Sequence, residues 1–117
     1  MKITRFFTEK LGANPRNPRW SWGALDPMSN RIYLRVWDDN IVKYRGIQQI
    51  RVGSDNPPNK SNGFRERKDH LALIEQGAEA YGVLCTAVDN KTTGNRIIDT
   101  FDDARLLKLG NFTKRKG

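Results

Sequence analysis

The sequence predicts one α+β domain, with a curved, mainly antiparallel sheet or small β-barrel of about five strands and two to three flanking helices. The chain has 117 residues, which is room for a single domain with a modest core. Hydrophobic residues make up 37% of it and fall in clusters with the spacing of helices or strands. Most strand-like clusters follow one another across polar connections, which favours hairpins.

The N-terminal residues predict a short helix followed by an extended connector. Four apolar residues within 2–11 share one helical face, and Gly12 can end the helix. Asn14–Pro18 contains two prolines, and the residue before a proline is disfavoured in a helix. We therefore expect extended chain from here to the first strand.

Trp20–Asp26 and Arg31–Asp39 are predicted to form a β-hairpin, because the residues between them have turn chemistry. In the second strand, aliphatic residues alternate with two aromatic residues and an arginine: Ile32, Leu34 and Val36 against Tyr33, Arg35 and Trp37. If the aliphatic residues face the core, the other three face away from it. The pattern therefore predicts two aromatic rings beside a guanidinium group on an exposed strand face.

The middle of the chain predicts a third strand, a long loop and a helix. Lys43–Val52 has a weaker strand pattern, and Gly53–Gly63 is polar and rich in Pro, Asn and Ser. Phe64–Gln76 carries an apolar stripe at helical spacing on an otherwise charged segment, and Gly77 can end it.

The last third predicts two further strands and a short helix. Tyr81–Asp89 is almost continuously apolar, which indicates a central strand. Arg96–Phe101 is expected to return beside it after a turn at Asn90–Asn95. Asp102 can then cap a short helix with three leucines that ends at Gly110.

The charge balance indicates an anionic partner. Lys and Arg number 21 against 13 acidic residues, which gives a net charge of +8. Such an excess favours binding to nucleic-acid phosphates. The alternative is that the charge only keeps the protein soluble. We assign 1–112 to one nucleic-acid-binding domain and 113–117 to a basic disordered tail or linker. The residues expected to bind phosphates are Lys2, Arg5, Arg16, Arg19, Arg31, Lys43, Arg45, Arg65 and Arg67.

Little in the sequence supports catalysis. One cysteine, Cys85, excludes an internal disulfide and fits a reducing cytoplasm. There is no run of about 18 apolar residues, so we expect a cytoplasmic protein without a membrane partner. With one histidine, His70, neither a zinc cluster nor a serine-type triad is expected. We predict no catalytic residue, no metal and no cofactor.

Asp55, Glu66 and Lys68 fit the Asp…Glu-x-Lys pattern of metal-dependent nucleases, in which two carboxylates hold Mg²⁺ and the lysine assists the attacking water. That pattern needs Glu and Lys on one strand edge, where residues two apart point the same way. Here the segment predicts the first turn of a helix, so we expect the two side chains to diverge on a solvated face.

Aromatic and basic residues between 16 and 38 predict a surface for nucleic-acid bases. Exposed aromatic rings stack on bases for roughly 1–3 kcal/mol each, and an aromatic pocket can also hold one base extruded from a duplex. The residues predicted to form this pocket are Trp20, Trp22, Tyr33, Arg35, Trp37 and Asp38. The alternative is that a helix covers this face and that the tryptophans belong to the core.

The segments Asn14–Ala24, Arg31–Trp37, Gly63–Arg67, Tyr81–Ala87 and Leu106–Gly110 carry a family likeness that spans most of residues 11–110. Together they resemble the N-terminal modules of bacterial HNH-type restriction endonucleases. The resemblance implies a DNA-reading module of the SRA, EVE and PUA-like group of small barrels, which senses a modified base for a nuclease domain or subunit. The His-Asn-His set of the nuclease part is not found in these 117 residues.

The leading hypothesis is a DNA-binding specificity module that senses a modified base in duplex DNA for a restriction-type nuclease. Three alternatives stay open. An RNA-binding PUA-like protein would use the same charge and aromatic residues. A Mg²⁺-dependent nuclease would use Asp55, Glu66 and Lys68. An inhibitor or subunit would bind a protein partner instead of nucleic acid.

Overall fold

The computed structural model describes residues 2–17, 21–50, 52, 62–88 and 98–110. Their helical elements are α1 (Ile3–Arg5), which continues directly as a π-helical turn (Phe6–Lys10), a 3₁₀ turn (Asp38–Asn40) and α2 (Asn62–Glu75). Their strands are β1 (Gly23–Asp26), β2 (Arg31–Trp37), β3 (Ile41–Tyr44), β4 (Ile47–Ile50), β5 (Glu79–Ala87), β6 (Ile98–Phe101) and β7 (Leu107–Leu109). No helix among these residues is long and apolar enough to cross a membrane.

Five strands form one curled sheet, and the predicted α+β class with a curved sheet is confirmed. The order is β1-β2-β5-β6, with β7 pairing the same edge of β5 as β6 does. All neighbours are antiparallel except β2 and β5, which run parallel from the pair Arg31 and Glu79 to the pair Trp37 and Cys85. Parallel strands need a long crossover, and here β3, β4 and α2 supply it.

Helices cover both faces of this sheet. The aliphatic residues of β2 are fully buried, as predicted, and pack with Leu71 and Ile74 of α2. The opposite face packs against α1 and its π-helical turn, where Phe6 and Phe7 are buried. The prediction that this face of β2 is exposed is therefore wrong, because the N-terminal helix covers it.

The predicted N-terminal helix and first hairpin are both confirmed. The helix widens into a π turn, in which the N–H of Leu11 donates to the carbonyl of Phe6 at 3.2 Å, and it ends at Gly12 with a φ of 69°. In the hairpin, Asp26 stabilises the turn by accepting hydrogen bonds from the Met28 N–H and the Ser29 hydroxyl. The first strand begins at Gly23, later than predicted.

The single third strand predicted over Lys43–Val52 is wrong. The segment folds back on itself as an antiparallel two-stranded sheet, β3 and β4, which we call the β3–β4 ribbon. Its two-residue turn places Arg45 at a φ of 52° and Gly46 at a φ of 78°, which is the geometry of a type I′ hairpin. Sequence analysis missed this turn because Arg-Gly is not among the usual pairs for it.

The helix predicted over Phe64–Gln76 is confirmed as α2, and Gly77, two residues after its last residue Glu75, has a φ of 117°. The central strand and its return are confirmed as β5 and β6. The short helix predicted after Asp102 is wrong, although Asp102 does accept hydrogen bonds from the N–H groups of Ala104 and Arg105. The chain instead forms β7, because alternate leucines pack against the core on the α2 side.

Several predictions fall outside the described residues. They concern Arg19, Trp20 and Asp55, most of the loop Gly53–Gly63, the turn Asn90–Asn95 and the tail 113–117.

Candidate nucleic-acid interface

A buried arginine on α2 joins three parts of the chain. Arg67 is 7% exposed, and its guanidinium donates hydrogen bonds to the backbone carbonyls of Trp22 (2.9 Å), Arg35 (2.8 Å) and Val52. Burial lowers the pKa of Arg67 to about 10, so the group is still charged at neutral pH. The prediction that Arg67 binds phosphate is wrong, because its terminal nitrogens are directed into the fold.

Glu66 lies beside Arg67 and is also buried, at 6% exposure. Its Oε2 accepts a hydrogen bond from the Ser21 hydroxyl at 2.9 Å, whereas its Oε1 has no hydrogen-bond partner among the described residues. Burial raises the pKa of Glu66, and the Ser21 hydroxyl and the Trp22 backbone oppose that rise. A buried carboxyl oxygen without a donor costs about 1–3 kcal/mol, which marks this position as a candidate for ligand contact.

His70 lies one turn after Glu66 on the same side of α2. It is 7% exposed, and its Nδ1 has no hydrogen-bond partner within the described part of the chain. Burial, with a further contribution from the charge of Arg67, lowers the pKa of His70 to about 4, so the imidazole is neutral at pH 7. Gly23 makes room for it, since a Cβ there would lie 3.3 Å from Nδ1 and 2.6 Å from the carbonyl oxygen of Tyr33.

A groove runs along α2 over Glu66 and His70. It consists of two adjoining cavities of about 310 and 240 Å³ that share Arg16, Glu66 and Asp69. The first cavity is lined by Arg16, Asn62, Arg65, Glu66 and Asp69, and the second by Asn14, Arg16, Gly23, Ala24, Leu25, Glu66, Asp69, His70 and Leu73. We call this feature the α2 groove; it combines two arginines at its rim, polar side chains and an apolar wall.

The structure brings together only part of the predicted phosphate-binding set. Arg16 and Arg65 are exposed and line the same cavity, although they lie far apart in sequence. Lys43 and Arg45 are exposed on the β3–β4 ribbon, and Lys2 is exposed before α1. Of the same set, Arg5 forms an ion pair with Glu9 at 3.0 Å, and Arg31 forms one with Glu79 at 3.1 Å.

The predicted base pocket is not formed on β2. Tyr33 is 5% exposed and stacks on Tyr81, with ring centroids 5.7 Å apart. Trp37 is half-buried against the core on the α1 side. Its neighbour Asp38 accepts a hydrogen bond from the Thr86 hydroxyl. Tyr33 is therefore part of the core, as the alternative interpretation of this face expected.

Two other members of the predicted pocket are joined to α2 through their backbone, because Arg67 donates to the carbonyls of Trp22 and Arg35. Arg35 is half-buried, and burial lowers its pKa while its Nε lacks a partner among the described residues. Trp22 is 39% exposed, and the guanidinium carbon of Arg67 lies 6.0 Å from its ring centroid. The backbone of Trp22 also contacts Glu66.

Glu66 and Lys68 diverge on α2, as the helical prediction requires. Glu66 is buried, whereas Lys68 is exposed with its Nζ 5.8 Å from the ring centroid of Phe64. Among the described residues, no group of three or more His, Cys, Asp and Glu side chains is arranged to hold a metal ion.

Sequence analysis missed the buried polar residues of α2, although one signal was present. Arg67 continues the apolar stripe of Leu71, Ile74 and Ala78 by one turn, so its position on the helix indicates burial. Glu66 and His70 lie one turn apart on the neighbouring stripe. Asn62 precedes Glu66 by one more turn on that stripe, whereas Asn14 reaches the groove through a tertiary contact that helical spacing does not report.

Comparisons with protein-family models, with curated proteins and with solved structures give no match to this chain. What the α2 groove can bind is therefore inferred from its own residues alone. Its rim can bind an anion, and its floor can accept and donate hydrogen bonds.

Proposed function

We propose that the chain is a DNA-binding specificity module that senses a modified base in duplex DNA and serves a restriction-type nuclease. The observation that carries this proposal is the convergence of Arg16 and Arg65 on one groove with a polar floor. The net charge of +8 supports the same partner, because neutralising phosphates releases counterions and drives binding.

The two arginines are suited to the phosphate contacts. Both are exposed, and the charge of Arg16 also acts on the neighbouring Glu66, whose pKa it lowers. Arginine presents planar, bidentate donors that match phosphate oxygens. Such contacts position a duplex without reading its sequence.

The floor of the groove is suited to the specificity contact. An extruded base needs an apolar wall for its ring and hydrogen-bonding groups for its edge. Ala24, Leu25 and Leu73 supply the wall, and the Oε1 of Glu66 and the Nδ1 of His70 are buried polar atoms without partners among the described residues. Trp22 is 39% exposed and its backbone contacts Glu66, so its ring can stack on a neighbouring base.

The test is a binding titration with labelled duplexes, unmodified and carrying different cytosine or adenine modifications, at two salt concentrations. We expect tight binding to one modified duplex and weaker, steeply salt-dependent binding to the others. The double variant Arg16→Ala/Arg65→Ala should lose roughly tenfold or more on every duplex. Glu66→Gln should retain the general affinity and lose the preference.

Arg105→Ala is the matched control, because Arg105 is also exposed but lies between β6 and β7, beyond the sheet edge opposite β1. Its affinity should equal that of the unaltered protein. The absence of salt-sensitive binding to any duplex would contradict the proposal and favour a protein partner. Tighter binding to a structured RNA of the same sequence would favour the RNA-binding alternative.

A further inference from the structure

The β3–β4 ribbon is a basic hairpin outside the main sheet. Its strands pair with each other and, within the described residues, with no strand of the five-stranded sheet. The side chains of Lys43, Arg45 and Gln48 are exposed, and Val42 is 48% exposed. An isolated two-stranded hairpin is only marginally stable in water. An exposed hairpin therefore needs a base that packs against the core, or a binding partner.

The base of the ribbon is fixed to the core. Ile50 and Val52 pack against the core on the α2 side, and the carbonyl of Val52 accepts a hydrogen bond from the buried Arg67. Arg65, two residues earlier on α2, lines the α2 groove. The start of α2 therefore connects the base of the ribbon to the groove.

The sequence of the ribbon fits a polyanion. Its residues 41–50 include Lys43 and Arg45 and contain no acidic residue. Lys43 and Gln48 are directly opposite each other in the register, and opposite residues share one face of a two-stranded sheet. That face presents a cation and an amide side by side, the two groups that bind guanine and adenine edges in the major groove.

We propose that the β3–β4 ribbon enters the major groove of duplex DNA, with Lys43 and Gln48 directed to base edges. The inference rests on the proposed DNA-binding function and names a second reading element for it. A four-residue strand spans about 13 Å, and the major groove of B-DNA, about 12 Å wide, admits a two-stranded ribbon. The deep, narrow major groove of duplex RNA does not admit side chains, so the ribbon selects DNA.

The experiment compares randomised duplex pools in a competition assay. One pool is unmodified, one has every purine N7 replaced by C–H, which removes acceptors from the major groove, and one has inosine for guanine, which changes the minor groove. We expect the protein to lose about fivefold on the 7-deazapurine pool, the low end for one good base contact, and nothing on the inosine pool. Duplex RNA should bind more weakly and without dependence on the ribbon.

The variant Lys43→Ala/Gln48→Ala should bind the unmodified and 7-deazapurine pools equally. Lys108→Ala is the matched control, since Lys108 is an exposed strand lysine on β7, and it should retain the fivefold difference. Both altered side chains of the ribbon are exposed, so we expect the thermal midpoint of each protein to be unchanged.

Equal affinity of the unaltered protein for the unmodified and 7-deazapurine pools would overturn the inference while leaving DNA binding intact. The inference would also fail if the ribbon variant retained the full difference, or if duplex RNA bound with the same dependence on Lys43 and Gln48. Failure to bind any pool at low salt would instead contradict the proposed function itself.

Discussion

The Nη2 of Arg67 donates a hydrogen bond to the carbonyl oxygen of Arg35 at 2.8 Å, at the point where β2 extends beyond β1. The N–H of Arg35 still donates to the carbonyl of Trp22, but no residue of β1 pairs with Arg35. The guanidinium thus provides donors where the partner strand has ended. It ties α2 to the sheet through the backbone, independently of the side chains in the core.

Arg67→Met should lower the free energy of unfolding by about 3–5 kcal/mol, because the carbonyl groups of Val52 and Arg35 lose this buried donor and that of Trp22 keeps only the Arg35 N–H. Arg67→Lys keeps the charge but lacks the planar fork, so it should lose most of the same stability. Arg65→Met is the matched control on an exposed position of α2 and should change stability by less than about 0.5 kcal/mol. Urea denaturation measures all three, and a similar cost for Arg65→Met and Arg67→Met would contradict the assigned role.

His70 should make stability fall in acid. The unfolded histidine binds a proton below its usual pKa of about 6.5, whereas in the folded protein burial holds the pKa at about 4. The contribution of the neutral His70 to folding stability is fully present above about pH 6.5, and it is lost as the pH falls from there towards about 4. Between about pH 7.5 and about pH 5 the loss should be about 2 kcal/mol.

Comparison with His70→Gln isolates this contribution, because Glu66 acts in the opposite direction. The raised pKa of Glu66 means that the folded protein takes up a proton at higher pH than the unfolded chain, which favours folding as the pH falls. Denaturation of both proteins at the two pH values should therefore show a difference of about 2 kcal/mol in their pH dependence. Parallel curves would show that His70 takes up its proton equally readily in the folded and unfolded states.

Cys85 should be unreactive in the folded protein. Its side chain is fully buried, and burial raises the pKa of the thiol to about 11. At pH 8 the lower thiolate fraction alone should slow reaction with Ellman's reagent about 100-fold relative to the urea-unfolded chain. Absorbance kinetics with and without urea measure this ratio, and rapid labelling of the folded protein would place the thiol in an accessible position.

Arg16 and Arg65 should each contribute to the salt dependence of DNA binding. Each phosphate contact contributes about 0.9 to the slope of log affinity against log salt, so Arg16→Ala and Arg65→Ala should each reduce the slope by about that amount. Arg5→Ala is an informative control, because Arg5 is already paired with Glu9. An unchanged slope in the Arg16 and Arg65 variants would mean that phosphates bind elsewhere.

Local periodicity predicted the elements whose burial follows from their own sequence. The alternation in β2, the apolar run of β5 and the stripe of α2 each correspond to a buried surface. Local periodicity failed where tertiary contacts determine whether a residue is buried or which element it forms. Tyr33 is buried because the N-terminal helix covers its face, and Leu107–Leu109 is a strand because β5 has an open edge there. The candidate site was predicted only in part, since Arg16 and Arg65 meet through folding and nothing local links them.

The parallel pairing of β2 with β5 makes the domain depend on its C-terminal part. Arg31 pairs with Glu79, and the ribbon and α2 lie between them in the chain, so the two central strands can pair only after both elements have been synthesised. A chain shortened before residue 79 would retain the first hairpin, yet one edge of β2 would be unpaired and its aliphatic row only partly covered. Exposed strand edges recruit other chains. Such a fragment should therefore self-associate, and the order in which the strands are synthesised makes the partly made domain vulnerable to aggregation.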